Sequence, residues 1–144
     1  MCGKVFQSHK EEIVEEFFSR FNKDIFHNQL PLDLSIRWSN TLNKTAGITL
    51  CSRVGQTYTA EIQLAKKVVD NSDKLRNTLC HELCHAASWL IDHNNAPPHG
   101  TNFKKWARKA EDAFPGLSIR TCHNYHIQYK YQVGKRRKRY TLFL

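Results

Sequence analysis

A chain of 144 residues, 40% hydrophobic and 24% charged with a net charge of +9, has the size and balance of one soluble domain with room for a real core. No apolar run approaches the roughly 20 residues needed to span a bilayer, and Glu11, Glu12, Glu15 and Glu16 interrupt the start where a signal peptide would be apolar. The composition excludes a helical membrane protein and argues against export, while the excess of cations makes a polyanion the natural partner.

Along the chain, Ser8 followed by Glu11 is a capping-box pattern. Val14, Phe17, Phe18, Phe21 and Ile25 recur at helical spacing, so an amphipathic helix is expected over residues 9–27. Three alternating runs follow: Leu34, Ile36 and Trp38, then Ile48 and Leu50, then Tyr58, Ala60, Ile62 and Leu64. Separated by Asn, Gly and Ser, they predict a three-stranded antiparallel meander. Asn71, Ser72 and Asp73 are cap-type residues opening a helix with Leu75, Leu79, Leu83, Ala86 and Leu90 on one side, which can run to about Asp92. Thr101 or Asn102 can cap a last helix bearing Phe103, Trp106, Ala107, Ala110 and Phe114, which Pro115 and Gly116 stop. No repeat or linker divides the chain. It reads as one α+β domain over residues 1–132 and a basic tail over 133–144.

The middle helix segment holds the chemistry, in "LCHELCHAASWLIDHNNAPPHG", residues 79–100. With about 100° of rotation per residue, His85 lies about 40° from His81 and one turn along, so both imidazoles can reach one tetrahedral ion. Glu82 falls beside them, where a base must stand to hold a water on that ion. Zinc lowers the pKa of such a water from about 15.7 to about 7, and the carboxylate can then take its proton as a carbonyl is attacked. A catalytic site needs a third ligand. His99 is the candidate, brought back by a loop that Pro97 and Pro98 stiffen, with Gly100 letting the backbone pass close to the ion. His93 competes for that role, but on a continuing helix it would lie two turns beyond His85.

Other readings stay open. Cys80 and Cys84 fall on the side of His81 opposite Glu82 and read as core residues. Cys122, His123 and His126 could form a structural metal site, though without the paired spacing of a zinc ribbon. Five cysteines with no CxxC pair fit reduced thiols in the cytosol or nucleus. The run "KRRKR", residues 135–139, offers phosphate contacts through Lys135, Arg136, Arg137, Lys138 and Arg139, joined by Lys130. It also fits a solvated tail or a nuclear-import signal. Tyr125, Tyr129 and Tyr131 alternate among these cations, as rings for bases to stack on or as strand residues.

The segments "NTLCHELCHAASWLID", "HG" followed by "NFKKWARKA", and "CHNYHIQYKY" resemble the SprT-like zinc metallopeptidase domain. The likeness is to its germ-cell nuclear acidic peptidase branch, relatives of Spartan. It extends upstream through "TAGITL" and "AEIQLAKKVVD" to cover roughly residues 9–132. The resemblance implies a small zincin fold, Zn2+ held by His81, His85 and His99, and Glu82 as the base. It also implies proteins crosslinked to DNA as substrates, DNA-dependent digestion, and a nuclear, chromatin-associated site of action. The DNA partner is expected to be single-stranded or partly unpaired, and the chain a monomer with no membrane contact. In that branch paired cysteines of a zinc ribbon usually follow "CHNY", whereas here "QVGKRRKRYTLFL" follows. Two other functions fit the residues: a non-catalytic, zinc-braced nucleic-acid-binding module, and a general nuclear peptidase.

Overall fold

The computed structural model describes residues 3–119, 129–134 and 137–143, the last two segments as backbone. Helix α1 runs over Gly3–Asp24 and buries Phe6, Val14, Phe18 and Phe21. The expected capping box is not one. Ser8 lies inside the helix, and its hydroxyl donates back to the Val5 carbonyl at 3.0 Å. Beyond the helix the chain turns through His27 and Asn28, both in the left-handed region. The buried amide of Asn22 fastens this turn, giving and receiving a hydrogen bond with the Leu30 backbone at 3.1 Å each.

Strands β1 (Ser35–Ser39), β2 (Gly47–Val54) and β3 (Thr57–Ala65) form where the alternation predicted strands. They do not form a meander. β2 and β3 make a tight antiparallel hairpin, with Val54 opposite Thr57 and Gly55 at φ +60° in the turn, a conformation that glycine adopts freely. β1 instead pairs in parallel with β3, Ile36 opposite Ile62 and Trp38 opposite Leu64. The sheet is therefore mixed. Alternation fixes which face a residue takes but not which strand is its neighbour, and the link over residues 40–46 crosses the end of β3 instead of turning back on β1. It is tied there by Lys66 N–H to the Ser39 carbonyl and Ala65 N–H to the Ala46 carbonyl.

Two further strands, β4 (Tyr129–Gly134) and β5 (Arg137–Phe143), extend the sheet to the order β1-β3-β2-β5-β4. β5 pairs antiparallel with β2, so the stretch 133–144 includes a sheet strand.

Helix α2 (Ser72–Leu90) starts at Asn71, whose side chain accepts from the Lys74 N–H. Helix α3 (Thr101–Ala113) has Gly100 at its N-cap and no side-chain cap, so neither Thr101 nor Asn102 performs that task. The core joins the Phe stripe of α1, Ile62 and Leu64 of β3, Leu75, Leu79 and Leu83 of α2, and Phe103 and Trp106 of α3. The molecule is a small α+β domain, and α2 lies in its centre against both β2 and β3. No helix among the described residues is long and apolar enough to cross a membrane.

Candidate metal centre

Three imidazoles converge on one point. The Nε2 atom of His81 lies 3.1 Å from Nε2 of His85 and 3.2 Å from Nε2 of His99, and the three donors all fall within 4.8 Å of one another. Nitrogens about 2.0–2.1 Å from a tetrahedral zinc sit about 3.3 Å apart, so this donor set and spacing fit that ion. His81 and His85 are buried and His99 is partly so. The ring of Phe103 packs against all three, with centroids 4.8, 4.5 and 4.8 Å from those of His81, His85 and His99.

His99 arrives by a loop whose ends are tied down. Asp92, just past α2, accepts from Lys105 Nζ at 2.8 Å and from Trp106 Nε1 at 2.7 Å, fixing α3 against the end of α2. Asn102 Nδ2 donates to the Asn94 carbonyl at 3.2 Å. Gly100 has a different role from the one its sequence suggests. A Cβ there would stand 2.9 Å from the Pro97 carbonyl oxygen, so glycine permits the tight approach to Pro97 that turns His99 inward. His93 is turned away from the cluster. Left-handed at φ +57°, it stacks on Tyr58 with centroids 4.0 Å apart. Cys80 and Cys84 lie in the hydrophobic core, where burial pushes the Cys84 thiol well above its usual range.

Glu82, which follows His81 directly in α2, is fully buried. The hydroxyl of Thr49 on β2 reaches its Oε2 at 2.5 Å and its backbone carbonyl at 3.2 Å, while Oε1 is buried without a protein partner among the described residues. Burial pushes the Glu82 carboxyl up to about 8, and the Thr49 hydrogen bond opposes that shift. Gly47, at the start of β2, lies so close that a Cβ would stand 3.1 Å from Glu82 Cγ and 3.3 Å from Oε1. Sequence reading missed Thr49 and Gly47 as neighbours of the base, because only the packing of β2 on α2 brings them there. It placed Phe103 on the last helix without its role as wall of the histidine cluster.

Of the residues expected to contact a polyanion, Lys130 is on β4, paired with Thr141 of β5. Arg137 on β5 pairs with Gly134 of β4, and Lys138 and Arg139 pair with Arg53 and Ser52 of β2. Lys135, Arg136, Tyr125 and the second metal site considered at Cys122, His123 and His126 lie outside the described residues.

The model of the SprT-like family matches residues 14–123. The chain belongs to the SprT-like family. Its relatives include proteins named germ cell nuclear acidic protein, at 43% identity in Homo sapiens and 39% in Drosophila melanogaster. These matches cover 89% and 88% of this SprT-like chain but only 19% and 12% of the two relatives. An HMG box-containing protein of Schizosaccharomyces pombe is 33% identical over 90% of the chain and 39% of its own length. No solved structure gives a significant match.

Proposed function

We propose that this SprT-like domain is a zinc-dependent endopeptidase that digests proteins crosslinked to DNA in the nucleus. The observation that carries the peptidase reading is Glu82. A purely structural ion held by three histidines needs no carboxylate beside it, yet here one is buried with an oxygen left for a proton. His81, His85 and His99 would hold the ion. When bound, zinc supplies Lewis acidity, lowering the pKa of water at its open position and polarising a carbonyl.

The chain's own residues supply the rest. Thr49 holds Oε2 and thereby aims Oε1. Glu82 takes a proton from the attacking water as the water oxygen bonds to the scissile carbonyl carbon. It returns that proton to the amine nitrogen as the C–N bond breaks. Phe103 limits water around the imidazoles, which strengthens electrostatic effects within the site.

The DNA and nuclear elements rest on the +9 charge, the cations on β4 and β5, and relatives whose names include "nuclear" or an HMG box. The test is incubation with a DNA-crosslinked protein and with the same protein free, each with and without a chelator. Cleavage that needs the metal and is faster on the crosslinked form supports the proposal. Equal cleavage of both forms at low salt points to a general peptidase, and none under any condition points to a binding module.

A further inference from the structure

Strand β1 forms one border of the sheet, with β3 on one side and no further strand among the described residues on the other. Beside this edge a groove of about 250 Å³ opens between β1 and α1. Val14 and Phe18 line it from α1, and Leu34, Ile36 and Trp38 line it from β1 and the residue before it. Leu32, also in its wall, is 86% exposed and carries the apolar lining of the groove out to its rim. The indole Nε1 of Trp38 is buried with no acceptor among the described residues.

The groove's charge is opposite to that of the molecule. In a chain of net charge +9, the charged side chains lining it are Glu11 and Glu15. Neither forms an ion pair among the described residues, whose three pairs are Arg37–Glu61, Lys74–Asp70 and Lys105–Asp92. The ammonium of Lys10 is held instead over the Trp38 ring, 4.9 Å from its centroid.

We propose that this edge and groove bind an extended basic segment of a partner protein. The segment adds to β1 as another strand and sets two Lys or Arg side chains, two positions apart, over Glu11 and Glu15. The spacing supports this pairing. Same-face side chains on a strand repeat about every 6.6 Å, and residues four apart on a helix rise about 6 Å. An apolar residue two positions further along the same face would then reach toward Phe18 and Leu32. Main-chain hydrogen bonds to the free edge supply affinity, while the side-chain pattern supplies selectivity. The groove is distinct from the histidine cluster, since neither the three histidines nor Glu82 lines it, and binding there does not require peptidase activity.

The probe is the synthetic peptide SKTKTLS, capped at both ends, titrated into the whole chain and followed through the β1 amide resonances. Controls are SETETLS and SKTKTLS N-methylated at alternate backbone amides, in both phases. Shifts confined to β1 and the facing side of α1 are expected with SKTKTLS, and at least one methylation phase should abolish them. Glu11→Gln with Glu15→Gln, both at exposed helix positions, should weaken binding about tenfold, the modest loss expected of two exposed ion pairs, with the metal content unchanged. Glu11→Lys with Glu15→Lys should favour SETETLS. No binding at millimolar peptide, equal binding of SETETLS to the unaltered chain, insensitivity to both methylation phases, or shifts mapping away from β1 would overturn the proposal.

Discussion

Glu82 occupies a place that costs a carboxylate dearly in the absence of a cation. Its folded-state pKa is raised from 4.5 to about 8 by burial, so the metal-free fold holds its proton more tightly than the unfolded chain. The stability associated with that proton is fully present below about pH 4.5 and is lost as the pH rises toward 8. In chelated protein, the melting temperature of the unaltered chain relative to Glu82→Gln should therefore fall between pH 5 and pH 8. The difference amounts to several kcal/mol, at about 1.4 kcal/mol for each tenfold change in proton affinity; a pH-independent gap would contradict it. The relation of His81, Glu82 and His85 was legible in the sequence because helix geometry is local and periodic. Thr49 was not, since it lies 33 residues from Glu82 and only the docking of β2 on α2 makes them neighbours.

At the level of elements, the site joins one helix to one loop, and that loop depends on close packing. Gly100→Ala would force a Cβ to within 2.9 Å of the Pro97 carbonyl, displacing His99. A cost of about 1–3 kcal/mol and a fall in bound zinc are expected; unchanged metal stoichiometry would count against the loop's role. Because an ion would tie His99 to α2, chelation should raise amide exchange in residues 93–103 more than in α1, which exchange mass spectrometry can read. The helices and three of the strands were legible from periodicity, with the ends of α1 and the cap of α3 displaced. Strand order was not, because identical alternation serves a meander or a mixed sheet. The glycine between the second and third runs agrees with the turn found at Gly55, whereas no residue in 40–46 announces that the link passes over β3.

For the whole molecule the open issue is how a +9 chain uses its charge. Because Arg137–Phe143 forms β5 and pairs with β2, truncating the C-terminal stretch would perturb the sheet, so charge is better removed by Lys138→Gln and Arg139→Gln. If the basic residues neutralise about four phosphates, log affinity for single-stranded DNA should fall against log salt with a slope of about −3. The double variant should flatten that slope by about 1.4 on the same per-phosphate rule, and an unchanged slope would remove these residues from the interface. The central claim remains that three histidines and Glu82 form a zinc peptidase site. Its most direct test measures zinc content and cleavage of a DNA-crosslinked protein in the same preparations of the unaltered chain and of Glu82→Gln. The account predicts about one zinc per chain in both and a loss of cleavage of at least ~10²–10⁴ in the variant. Near-unaltered cleavage by Glu82→Gln at full zinc occupancy, or active protein without zinc, would contradict it.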